Sequence, residues 1–401
     1  MPSAQDAILV LKGGRVIDPA NGTDDIADVV TRGDTILEVG PDAGTRYPDA
    51  QVKDVTGKLV TPGLIDIHTH CFTGLGDFCL PTDLMGVDSG VPIIVDAGTT
   101  STTIFGLARK GIIDHPDTKT RIFALMDPSQ IYLANKTFIC HYLRIADDER
   151  NIDIEAAKDV VDAHRDVIVG FKVRPTITDN PDRSPFLEAA HQIAPDLPIM
   201  IHLGSFPHTP VLETEKLLYQ LRKGDIITHA CRGGGGQLDA RGEPTTAFTD
   251  AYNRGVLMDI GHSAGDFHFR TARRLIERGY MPNTISTDLN VFNVDGPVHS
   301  LSTTMSKLWA LDVPLDQVIA MNTINAAKAI NREDQYGTLT PGRAAEVSVL
   351  DMEEGSCILS DGHEEITADR RLRAVGCLRN GQWHDAVHDQ KALLAEMKEA
   401  V

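Results

Sequence analysis

Six side chains able to serve a divalent metal stand at the ends of short apolar runs. His68 and His70 close Gly63-Leu-Ile-Asp-Ile-His-Thr-His70, and Lys172 closes Val169-Gly-Phe-Lys172. His202 closes Ile199-Met-Ile-His202, His229 closes Ile226-Ile-Thr-His229, and Asp288 closes Thr284-Ile-Ser-Thr-Asp288. Imidazole nitrogens and carboxylate oxygens are ordinary ligands of zinc. Alternate residues of a strand share a face, so His68 and His70 can point into one pocket. Taken singly, each residue has a bland account: a satisfied polar histidine, a lysine at the surface or in an ion pair, an aspartate capping the next helix. Four histidines, one lysine and one aspartate, all at strand ends, argue instead for convergence on one site holding two divalent metals.

The elements that must position them follow from pattern. Apolar runs recur at 64–67, 93–95, 122–125, 167–171, 199–201, 226–227, 256–258 and 284–285. Helical stretches at 154–164, 185–193, 211–222, 246–254 and 269–278 lie between them. Strand alternating with helix predicts parallel strands with crossover helices, and eight units predict a closed (β/α)8 TIM-like barrel over residues 61–337. In such a barrel the strand C-termini meet on one face. The ends of the chain differ. Strands at 8–12, 15–17 and 35–39, then at 346–351 and 374–378, predict a small β-sandwich domain formed from both termini, residues 1–60 and 338–401. A short amphipathic helix is expected at 391–401.

Composition narrows the class of function. The chain has 401 residues, 42% hydrophobic, enough for a sizeable core. A net charge of −19 and 5% aromatic residues disfavour nucleic acid and anionic membrane surfaces. No run approaches the ~20 apolar residues of a membrane helix. The first residues lack a cationic start followed by a long apolar run, so no signal peptide is expected. The six cysteines are scattered, without a CxxC pair, which predicts reduced thiols and a cytoplasmic protein.

The stretch Thr61-Pro-Gly-Leu-Ile-Asp-Ile-His-Thr-His70 resembles the signature of the amidohydrolase superfamily, which includes dihydroorotases, hydantoinases and D-aminoacylases. The resemblance extends over nearly the whole chain, including Tyr336-Gly-Thr-Leu-Thr-Pro-Gly-Arg-Ala-Ala-Glu346. Gly170-Phe-Lys-Val-Arg174, His229-Ala-Cys-Arg-Gly-Gly-Gly-Gly236, Met258-Asp-Ile-Gly-His262 and Thr304-Met-Ser-Lys-Leu308 are similar to its amidohydrolase/deacetylase metallohydrolase branch. The resemblance implies two divalent metals, zinc being expected, and a homo-oligomer. It implies that His68, His70 and Asp288 hold the more buried metal, that His202 and His229 hold the other, and that Lys172, carboxylated by CO2, bridges them. A lysine ammonium cannot bind a metal, whereas a carbamate offers two oxygens. Asp288 would also carry the proton from the nucleophile to the leaving group.

The resemblance implies a small-molecule substrate with an acyl bond next to a carboxylate: an N-acyl amino acid or an O-acetyl α-hydroxy acid. Ring-opening of a cyclic amide or imide is the alternative. Cys71 and Phe72 follow His70 where dihydroorotases carry an arginine, which speaks against that activity. Arg174 shares the face of Lys172 and is either a carboxylate clamp or half of a structural ion pair. His262 either contacts substrate or orients a ligand. Arg232 and the glycines at 233–236 either approach a ligand or form a loop without contact. Tyr132 is read as packed, and Cys71 and Cys231 as small packing residues. A metal-free scaffold is disfavoured by the complete ligand set, and a mononuclear deaminase by the absence of a HxxE pattern after His202 or His229.

Overall fold

The computed structural model describes residues 7–205 and 208–387. The helix expected at 391–401 lies outside them.

Seven of the predicted runs form one parallel sheet. Its strands are β6 (Ile65–Thr69), β7 (Ile93–Ser101), β8 (Arg121–Asp127), β9 (Ile168–Val173), β10 (Ile199–His202), β11 (Ile226–Thr228) and β12 (Leu257–Met258), paired in sequence order. Helices Ile154–Ala163, Pro185–Ile193, Thr214–Gln220, Thr246–Arg254 and Phe269–Glu277 connect or follow the later strands. Asp153 and Thr245 cap two of them by accepting from the backbone N–H of Ala156 and Phe248. Apolar residues from these helices and the strands form one large buried cluster, among them Ala157, Val161, Ala190, Ile199 and Phe248.

The eighth strand expected at 284–285 does not form. The sheet is curled, and residues 284–289 span the interval between its edges by single bridges, Asp259 to Thr284 and Thr69 to Leu289. The backbone N–H groups of His262 and Asp288 donate to the carbonyls of Ser286 and His68, at 3.1 and 2.7 Å. A tertiary contact and the backbone itself account for the irregularity. The Ile285 carbonyl is taken by the Asn322 amide at 2.7 Å, and Asp288 has φ 53°, outside the β region.

The two ends of the chain build a second, mixed sheet. It contains β1 (Ile8–Asp18), β2 (Thr23–Arg32), β3 (Thr35–Gly40), β4 (Gln51–Asp54), β5 (Leu59–Pro62), β13 (Val347–Ser360), β14 (Glu365–Arg379) and β15 (Gln382–Asp385). The order is β15-β14-β13-β5-β1-β2-β3, with β4 also paired to β1. This is one continuous sheet rather than the expected sandwich. The runs at 8–12 and 15–17 are one strand, because a register shift between Leu11 and Gly14 absorbs the glycine pair. Strand β2 was not anticipated. Its first half, Thr23-Asp-Asp, is polar, and Arg15 on β1 pairs with Asp24 at 2.7 Å. Among the described residues no helix is long and apolar enough to cross a membrane.

Candidate metal centre

His68 and His70 leave the end of β6 on one face, as the strand period requires. Lys172 projects from β9, His202 ends β10, His229 follows β11, and Asp288 lies in the bridging segment. The structure brings all six together. Lys172 Nζ is 2.8 Å from His68 Nε2, and Asp288 Oδ1 is 2.9 Å from His70 Nε2 and 3.4 Å from His68 Nε2. His202 Nδ1 and His229 Nε2 face each other at 3.0 Å. His68, His70, Lys172, His202 and Asp288 line a cavity of ≈ 50 Å³ together with Arg174, Phe78, Tyr132 and Phe138. A larger groove of ≈ 560 Å³ lies between helix Leu301–Ala310 and β14, lined by Asp295, His299, Arg371 and Arg373, and holds no comparable cluster among the described residues. Here the chemistry, not the volume, locates the site.

Hydrogen bonds set which imidazole nitrogens face inward. Thr228 Oγ1 donates to Asp259 Oδ2 at 2.7 Å, so His68 Nδ1, 2.8 Å from that hydroxyl, must be the donor to it. His68 therefore turns the lone pair of Nε2 towards Lys172 and Asp288. His229 Nδ1 donates to the Gly261 carbonyl at 2.6 Å, leaving the Nε2 lone pair towards His202. Burial holds His68 and His202 well below the usual imidazole range, so both are neutral. Burial also pushes the Lys172 ammonium down to about 7, although Asp288 opposes it. Asp288 Oδ1 is buried without a hydrogen-bond donor. An orphaned carboxylate oxygen beside the neutral His68 imidazole, whose Nε2 lone pair faces inward, is a donor set that fits divalent metal ions. Among the described residues, two groups have ligand atoms close enough for an ion: His68, His70 and Asp288, and His229, Asp266 and Asp288.

Several buried acids beneath this set were not singled out from sequence. Asp66 accepts from the Thr287 hydroxyl at 2.6 Å, and burial raises it to about 7. Asp96 accepts the backbone N–H of Cys71 and Thr99, and Asp259 accepts the hydroxyls of Thr228, Thr284 and Ser286 at 2.6–2.7 Å. The signal was available: Asp96, Asp127 and Asp259 end apolar runs as the histidines do. Cys71 and Cys231 are buried, and burial raises both thiols, Cys231 to about 12, which makes them poor nucleophiles.

The three expected substrate contacts differ in placement. Arg174 lines the cavity, pairs with Asp127 at 3.1 Å and lies 3.9 Å over the Tyr132 ring. His262 is not among the residues lining that cavity. Its Nδ1 lies 2.8 Å from the Ser263 carbonyl and its Nε2 2.7 Å from Lys307 Nζ, so both ring nitrogens are engaged. Arg232 also lies outside the cavity lining and pairs with Asp266 at 3.3 Å.

A deacetylase of Agrobacterium fabrum is 30% identical over 350 residues, 86% of this chain and 83% of that protein. The chain belongs to the amidohydrolase superfamily, in its deacetylase and dihydroorotase-like branch. A model of the amidohydrolase family matches residues 259–376. A deacetylase of Enterococcus faecalis is 31% identical over 82% of this chain and 87% of its own length. A dihydroorotase of Streptococcus thermophilus is 48% identical, but over 65 residues, 16% of this chain and 14% of its own. Among solved structures, an adenine deaminase superposes with TM-score 0.83 at 28% identity over 95% of this chain and 100% of its own. A dihydroorotase superposes with TM-score 0.82 at 27% identity, over 95% and 99%. With its paired metal-ligand groups, this amidohydrolase is a binuclear metal-dependent hydrolase.

Proposed function

We propose that this amidohydrolase deacylates small carboxylic acids, as N-acyl amino acids or O-acetyl α-hydroxy acids. The observation that carries the proposal is Arg174: it stands two residues beyond Lys172 on the same strand face and opens onto the same cavity. A guanidinium there can take a substrate carboxylate in a paired hydrogen bond. The deacetylases similar to this chain over more than four-fifths of its length support the same reading.

In this reading residues 284–289 take the place of an eighth barrel strand. His68, His70 and Asp288 would hold one divalent ion, zinc being expected, and His202 and His229 would hold the other. Lys172, once carboxylated, would supply anionic oxygens to both. Its neutral amine attacks the carbon of CO2, the new N–C bond forms, and a proton leaves to solvent, which leaves an anionic carbamate. Bound ions supply an activated water nucleophile at neutral pH and polarise the scissile carbonyl. An oxygen of the Asp288 carboxylate would accept the nucleophile's proton and return it to the leaving group. Phe78, Tyr132 and Phe138 exclude water from the acyl group.

A second reading, ring-opening of a neutral cyclic amide, is favoured by the Arg174–Asp127 pair, which brings no net charge to the pocket. Acetate release by zinc-loaded protein from a panel of N-acetyl-D- and L-amino acids and O-acetyl α-hydroxy acids decides between them. Release, with KM raised in Arg174→Met, supports the deacylase. No release, with turnover of dihydropyrimidine or hydantoin rings, replaces it with ring opening.

A further inference from the structure

We infer that Arg232 and Asp266 form a strap that sets the spacing of His202 and His229, so that Arg232 is a positioning residue for the metal they hold and not a substrate clamp. The inference rests on the ligand assignment proposed above. Arg232 Nη1 donates to the carbonyl of Leu203, the residue after His202, at 2.5 Å. Its Nη2 pairs with Asp266 Oδ1 at 3.3 Å. The other carboxylate oxygen of Asp266 is 3.8 Å from His229 Nδ1. One guanidinium thus joins the backbone beside one histidine to the carboxylate beside the other.

The chain makes room for this strap at two glycines. A Cβ at Gly204, where φ is +128°, would sit 1.1 Å from Arg232 Nη1, and one at Gly235 would sit 2.6 Å from its Cγ. The backbone under Arg232 is fixed as well: its N–H donates to the His229 carbonyl at 3.1 Å, and its carbonyl accepts the Gln237 amide at 2.9 Å. Tolerance at the histidines is small. Two nitrogens each ~2.05 Å from one tetrahedral zinc are about 3.3 Å apart, and His202 Nδ1 and His229 Nε2 stand 3.0 Å apart. A shift of either loop would separate them. The geometry also explains arginine rather than lysine, because two acceptors in different directions need a planar fork.

The test is titration of the full-length apoprotein with Zn2+ against a chromophoric chelator, with the Co2+ absorption spectrum as a second readout. Arg232→Met is expected to keep one site of wild-type affinity and to bind the second ion about 10–100-fold more weakly. Arg232→Lys is expected to fall between, with excess metal restoring turnover. Two sites of wild-type affinity in Arg232→Met would overturn the inference, and an accompanying rise in KM would return Arg232 to substrate binding. Equal weakening of both sites with a lowered Tm in both variants would also overturn it, in favour of a general role in folding. His202→Ala separates the two levels. If it retains both metals, the ligand assignment fails; if it loses one while Arg232→Met loses neither, the strap alone fails.

Discussion

His68 and His70 are set by groups deep in the fold, whereas the segments that carry His202 and His229 are tied by a partly exposed ion pair, Arg232–Asp266. Beneath the first pair lie Asp66, Asp96, Asp259, Thr99 and Thr228, none more than 1% exposed. The second pair depends on the Gly261 carbonyl and on the Arg232–Asp266 pair, whose side chains are 21% and 19% exposed. Buried networks polarise one another and exclude competing water, while a rim ion pair is screened by salt. On the ligand assignment proposed above, the chain would join a pre-set half-site to one that depends on two loops, and the proposed ions should load in that order.

The largest way to break this comparison is to remove the proposed link between the halves, Lys172. Lys172→Ala is expected to lose paired metal binding and to reduce acyl-ester or amide turnover to background, read by metal analysis and acetate release. Two ions and full turnover would remove Lys172 from the centre. Next, chelator stripping of the native protein should be biphasic, with the fast phase accelerated by salt and abolished as a separate phase in His202→Ala. A single salt-insensitive phase would show that the halves are equivalent. Asp259→Asn should weaken the deeper half instead. It turns an acceptor shared by three hydroxyls into a partial donor, which costs about 1–3 kcal/mol of stability and about 10–100-fold in affinity for the tighter ion. The smallest effect concerns His262. Burial holds it neutral in the folded state, so below about pH 6.5 the unfolded chain gains a proton that the fold refuses. Stability from this group is complete above that pH and falls as pH drops. His262→Gln should flatten the fall in apoprotein Tm between pH 7 and pH 5; an unchanged slope would exclude it as the titrating group.

Much of the centre was legible because each ligand candidate interrupts an apolar run. A polar residue ending a buried parallel strand has few bland uses, and six of them form a pattern that periodicity alone exposes. The roles of Arg232 and His262 were not legible in that way. Their partners are the Leu203 carbonyl, Asp266 and Lys307, and the Lys307 contact joins residues 45 apart in sequence. Likewise 284–285 reads as a strand by residue type, yet Asn322 from a later helix takes the Ile285 carbonyl and breaks its ladder. The joining of 8–12 with 15–17 was hidden because glycines look like a turn until a paired strand shows a bulge.

By itself the sequence determined the alternation of strand and helix and the ligand types at strand ends, since both arise from local periodicity and side-chain chemistry. Only the tertiary structure decided which imidazole nitrogen faces the centre, that Arg174 shares its cavity while His262 and Arg232 do not, and that the terminal strands make one sheet. Those outcomes depend on hydrogen bonds between residues distant in sequence, which become definite only when the elements are packed together.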